Sequence, residues 1–103
     1  RLVASTAGDE LGVLMTKPFI VEGDRLEVNA DARRGSLKIE AVEPDGERID
    51  GFYCKDAGEI RENGFSIPVT WKSGSKIGDL KGRMIRLKFY MRDTRLYSFC
   101  FKE

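Results

Sequence analysis

Apolar side chains recur along this chain at every second position. Leu26, Val28 and Ala30 alternate with Arg25, Glu27 and Asn29. Leu37, Ile39 and Ala41 alternate with Lys38, Glu40 and Val42. Ile85, Leu87, Phe89 and Met91 alternate with Arg86, Lys88 and Tyr90. Successive side chains of a strand point to opposite faces, so each set puts an apolar row on one side and mostly polar groups on the other. Tyr97, Phe99 and Phe101 read as one further apolar row, and residues 2–5 and 12–16 as shorter strands. Residues 65–71 mix β-branched and aromatic residues around Pro68, which cannot donate to a ladder and therefore predicts an edge strand or a bulge.

Turn residues punctuate these runs at short intervals. Glu22-Gly23-Asp24 closes the strand that holds Phe19 and Val21. Pro44-Asp45-Gly46 joins a residue of fixed φ to one that tolerates positive φ. Arg34-Gly35 stands between two strong strands and predicts a hairpin of residues 25–32 with 36–43. Arg92-Asp93-Thr94 joins the last two strands tightly. Residues 77–81 predict a single helical turn, and residues 55–63, charged and irregular, a surface loop crossing between sheets. Such spacing predicts an all-β fold: an antiparallel two-sheet β-sandwich, jelly-roll-like, of about eight strands.

The 103 residues suit one domain, and 41% apolar with 34% charged residues is a soluble globular composition. Eighteen Lys and Arg against seventeen Asp and Glu offer no excess of cations, so no nucleic-acid partner is expected. No apolar run approaches the length of a membrane helix, so no membrane insertion is expected either. The chain opens at Arg1, inside a predicted strand and without a Met, which reads as residues 1–103 cut from a longer multidomain protein. Cys54 and Cys100 have neither metal-ligand nor CxxC spacing and are expected to stay unpaired. Cys100, in the run Phe99-Cys100-Phe101, reads as a small buried or half-buried thiol facing opposite to both rings.

Chemistry is constrained most by what is missing. The chain has no histidine, which removes the commonest general base and the commonest transition-metal ligand. It carries no phosphate-binding glycine motif. Paired carboxylates are the remaining enzymatic route. The candidates (Asp24, Asp31, Asp45, Asp50, Asp56, Glu59, Asp79 and Asp93) sit mostly in turns, where Asp bonds its own backbone. The reading is therefore of a non-enzyme with no cofactor and no metal. Asn29, Asp31 and Asp24 supply hard oxygens that a calcium ion would need near one end of a strand, but shaping the strand end is the simpler role for them. Trp71 reads as a core anchor. Tyr53 and Tyr90 are the aromatics placed to meet a ligand, with Asp56 and Arg92 as polar neighbours. A sugar would stack its C–H face on such a ring, and a partner domain would bury it instead.

The stretches LMTKPFIVEGDRLEVNADARRGSLKIEAVEPDGERIDGFY, VTWK and LKGRMIRLKFYMRDTRLYSFCF resemble the β-sandwich domain at the C-terminal end of bacterial proteins related to glycoside hydrolases with propeller catalytic domains. The shared pattern includes a final hairpin D-x-x-L-Y-S-F. The resemblance implies an accessory domain that packs against and supports a catalytic domain of the same parent chain, with carbohydrate binding as the alternative, and an extracytoplasmic location. It carries over architecture only: Asn29, Asp31, Gly35, Gly51, Phe52, Trp71, Gly82 and Leu96-Tyr97-Ser98-Phe99. No catalytic residue comes with it.

Overall fold

A computed structural model describes residues 2–103, with side chains from Gly8 onward. The strands are β1 Leu2–Ala7, β2 Gly12–Met15, β3 Phe19–Ile20, β4 Arg25–Asp31, β5 Ser36–Val42, β6 Asn63–Pro68, β7 Met84–Arg92 and β8 Thr94–Lys102. Among the described residues the only helical pieces are two 3-10 turns, Cys54–Asp56 and Ile77–Leu80. All strand pairings are antiparallel.

One sheet has the order β1-β8-β4-β6. In the other, β5 lies along one side of β7, and β2 and β3 follow one another along the opposite side. The eight segments therefore occupy seven strand positions. β2 and β3 are one strand interrupted around Lys17-Pro18, because proline lacks the N–H that would continue the ladder. The register resumes beyond it, with Phe19 beside Ile85 and the Val21 N–H donating to the Arg83 carbonyl at 3.0 Å. β6, which carries Pro68, is an edge strand and is itself bulged, three steps from Gly64 to Ile67 standing against the two from Val28 to Ala30 of β4.

The predicted hairpin of residues 25–32 with 36–43 does not form. β4 pairs with β6 and β8, while β5 pairs with β7 in the other sheet. The final hairpin fails likewise, since β7 and β8 belong to different sheets. Both links are corners that step from sheet to sheet. They stack on each other: a Cβ on Gly35 would run into the Arg92 carbonyl oxygen. The Thr94 hydroxyl donates within the same knot, 2.9 Å from the Ser36 carbonyl and 2.8 Å from that of Arg92. Asp93 turns the second corner at φ 47°, a left-handed conformation that Asp tolerates better than most residues. Pro44-Asp45-Gly46 does make a tight reversal. The Gly46 N–H reaches the Glu43 carbonyl at 2.8 Å, and Gly46 takes φ 92°.

The core lies between the sheets. Leu26, Val28, Leu37, Ile39, Ile85, Leu87, Phe89 and Phe99 are buried as the alternation predicts. The Phe89 and Phe99 rings, from opposite sheets, meet at 5.7 Å. Trp71 is buried too, its indole N–H donating to the Ile39 carbonyl at 3.1 Å and its ring meeting Phe52 edge-on. The row Tyr97-Phe99-Phe101 breaks at its first member. The register between β4 and β8 shifts between Asn29 and Ala30, so Leu96 and Phe99, three apart, both point inward and Tyr97 points to solvent. Cys100 is exposed on the outer side of β8, not buried, because a neighbour of the inward Phe99 must face out. Cys54 is half-buried, and both thiols are free.

The oxygens considered for calcium do not converge. Asp24 precedes the first residue of β4 and Asp31 is its last, a separation of about 20 Å at strand rise. Asp31 is held instead by Arg33, whose guanidinium donates to both carboxylate oxygens and keeps that carboxyl below the usual range. Asp24 sits 3.6 Å from the Lys81 ammonium.

Candidate functional site

The outer face of the β2/β3-β7-β5 sheet gathers most of the polar and exposed apolar groups that the core does not use. Register places Val13 beside Tyr90, Met15 beside Lys88 and Ile20 beside Met84 on one side of β7. On the other side Lys38 stands beside Tyr90, Glu40 beside Lys88 and Val42 beside Arg86. Strand alternation makes all of these face outward, away from Phe89, Leu87 and Ile39.

Glu40 is the centre of the polar half, although the alternation predicts it on a solvated face. It is only 3% exposed. The segment after β5 returns along the side of that strand away from β7, bridging Val42 to Arg48 and bonding the Ala41 N–H to the Phe52 carbonyl, and so brings Cys54 onto Glu40. The Tyr90 hydroxyl donates to Glu40 Oε1 at 2.9 Å, and the Cys54 N–H donates to Oε2 at 3.1 Å. A buried carboxylate needs such donors because desolvation otherwise costs several kcal/mol. Burial, together with the bond to Glu40, raises the Tyr90 phenol above its ordinary value. Burial and the Glu40 charge raise the Cys54 thiol, against the pull of Lys38 and Lys88. Sequence reasoning missed Glu40; the available signal was Tyr90, an aromatic on a face that the core does not need.

The residues expected to meet a ligand are partly assembled here. Tyr53 is half-buried next to Cys54, with the Arg48 guanidinium 4.9 Å and the Lys55 ammonium 5.7 Å from its ring centre. Lys88 lies 5.5 Å from the Tyr90 ring centre. Cations on an aromatic face are attracted by the ring quadrupole, so both rings are partly covered. Asp56 belongs to the Cys54–Asp56 turn, and its carbonyl accepts from the Lys72 N–H at 2.7 Å. Arg92 is on the same strand face as Tyr90, where its guanidinium donates to the Asp9 carbonyl at 2.8 Å. Arg86 does the same for the Thr16 carbonyl at 2.8 Å. Two arginines of β7 thus clamp the neighbouring edge strand just before and just after β2.

The apolar half is the less expected feature. Leu11, Val13, Met15, Ile20 and Met84 are between 38% and 54% exposed and form one stripe along the β2/β3 side of the sheet. The other exposed large apolar residues, Phe65 and Tyr97, belong to the opposite sheet. The signal in the sequence was the run of residues 11–15, apolar on both strand faces: Leu14 packs toward the core while its neighbours do not.

A groove of about 450 Å³ lies elsewhere, lined by Arg25, Glu27, Pro68, Thr70, Trp71 and Ile77 among others. Among the described residues no cluster of three metal-ligating side chains occurs, and no helix is long and apolar enough to cross a membrane. Comparison with family models, curated proteins and solved structures found no match.

Proposed function

We propose that this chain is a non-catalytic accessory β-sandwich that packs against a partner domain through the outer face of the β2/β3-β7-β5 sheet. The observation that carries this reading is the stripe of Leu11, Val13, Met15, Ile20 and Met84. Scattered exposed apolar residues are ordinary, but a contiguous row bordered by polar groups marks an interaction surface. Domain interfaces within a chain have this mixed character. The partner's class, a glycoside-hydrolase-like catalytic domain of the same parent chain, follows from the sequence resemblance. A jelly-roll topology belongs to the same proposal. It is supported by the orders β1-β8-β4-β6 and β2/β3-β7-β5, by strands that alternate between sheets, and by Ile60, which bridges to Leu37 on the far side of β5. Sugar contact by Tyr53 and Tyr90 has less support, since cations cover both rings and Glu40 engages the Tyr90 hydroxyl.

Methionine oxidation tests the packing surface directly. Met15 and Met84 should be oxidised rapidly by dilute peroxide in the isolated chain and slowly in the intact parent protein. Equal rates in the two would overturn the reading.

A further inference from the structure

We infer that the outer face of the β1-β8-β4-β6 sheet binds a neutral β-linked glycan, stacked on Phe65 and Tyr97. The inference does not rest on the partner-domain reading, which uses the other sheet.

Two bulges meet at Asn29. On one side of β4, Val28 pairs with Ile67 and Ala30 with Gly64, so Phe65 and Ser66 together stand opposite Asn29. On the other side Asn29 pairs with Ser98 and Ala30 with Leu96, which leaves Tyr97 as the extra residue beside it. Val28, Ala30, Ile67, Leu96 and Phe99 are buried, so both residues of each bulge turn outward. β6 and β8 both run antiparallel to β4 and hence parallel to each other. Each therefore presents the same pair, an aromatic followed by a serine, at the same level of the sheet. Phe65 is 86% exposed and Tyr97 41%. A regular ladder would place one outward side chain on each side of Asn29. The bulges place two, and one of each two is a ring that the core does not use. Bulges re-aim side chains in this way beside functional sites.

The occupant is set by spacing, polarity and charge. The two ring-bearing residues sit two strands apart, about 10 Å. An extended β-linked pyranose chain turns over at each sugar, so alternate sugars repeat the same face at close to this distance. Each sugar has an apolar C–H face to lay on a ring. Around the rings stand the Asn29 amide and the hydroxyls of Ser66, Ser98 and Tyr97. Asn29 is half-buried, and among the described residues none of these four side chains makes a hydrogen bond within the chain. Amides and hydroxyls both donate and accept, which complements the hydroxyl rim of a sugar. Charge selects against ions. Asp31 and Glu27, the outward neighbours of Asn29 on β4, are matched by Arg33, which holds Asp31, and by Arg95, the register partner of Asp31. A face so balanced has no excess of cations to draw a phosphate backbone or an acidic chain. A protein partner is marked by a contiguous apolar patch, and Asn29 and the serines interrupt this one.

Backbone amide shifts of this chain should be followed against cellobiose, cellotriose and cellohexaose, and against the matching xylo- and manno-oligosaccharides. At least one series should give saturable shifts at Asn29, Ser66 and Ser98. Its trisaccharide should bind about tenfold more tightly than its disaccharide, because only the longer chain reaches both rings. Phe65→Ala and Tyr97→Ala should each weaken hexasaccharide binding by about tenfold or more. Both side chains are exposed, so the thermal midpoint should stay unchanged. No saturable shift in any series at about 10 mM sugar, an affinity that ignores chain length, or binding that survives loss of both rings would each overturn the proposal. So would a response to a sulfated oligosaccharide alone, or shifts at these residues that follow protein concentration without sugar, which would assign the face to a second copy.

Discussion

Glu40 shows what one residue decides in this protein. Its carboxylate lies under the returning segment, fixed by the Tyr90 hydroxyl and the Cys54 N–H. Replacing Tyr90 by Phe leaves a buried acceptor with one donor fewer, which should cost about 1–3 kcal/mol in a urea titration at neutral pH. The same cluster sets the alkaline behaviour. Tyr90 is held above its ordinary value of 10.0 and Cys54 above 9.0, so the folded state keeps both protons more tightly than the unfolded chain does. Their stabilising contribution is complete below the unfolded values and is lost as pH rises through the folded ones. The urea midpoint should therefore fall above pH 9. A variant combining Tyr90→Phe with Cys54→Ser should be less stable at pH 7 and should fall less steeply. An unchanged slope would place the alkaline transition elsewhere.

At the scale of elements, the strands were legible and their partners were not. The period-two rows of β4, β5 and β7 gave the inward residues correctly, since burial on one face of a strand requires alternation. They said nothing about which strands pair. Arg34-Gly35 and Arg92-Asp93-Thr94 resemble hairpin turns in composition, yet both are corners between sheets. The difference lies in a contact no local pattern encodes, the approach of the Gly35 backbone to the Arg92 carbonyl. Gly35→Ala should consequently cost at least the ~1–3 kcal/mol typical of overpacking, as read from a thermal or denaturant midpoint. A neutral result would show that the corners can separate without harm. The outward turn of Tyr97 has the same origin: a bulge in the ladder with β4 moves the inward face by one residue.

For the molecule as a whole, no described strand pairs with its immediate neighbour in sequence: β1 pairs with β8, β2, β3 and β5 with β7, and β4 with β6 and β8. Loop-closure entropy must be met before any ladder forms, which places refolding in the range of about milliseconds to seconds. Stopped-flow fluorescence of Trp71 should resolve it, and a phase complete within microseconds would contradict the topology. β8 is the test of cooperativity, lying between β1 and β4. Deleting residues 94–103 should abolish the native circular dichroism signal, because β4 and β1 lose their common partner and Phe89 loses Phe99.

Alternation and turn residues were sufficient to determine the class of this chain: strands throughout and an apolar interior that includes Leu26 and Phe99. These properties depend on residue type and on spacing along the chain, both of which are local. The site depended on the tertiary structure. Glu40 and Tyr90 lie fifty residues apart, and the segment that buries them arrives from a third place. Leu11, Val13 and Met15 alternate like core residues and are exposed because β2 turns them to the outer face of the sheet and Leu14 to the core. Whether an apolar row faces a core or a partner is set by what packs above it, and only the assembled sheets fix that.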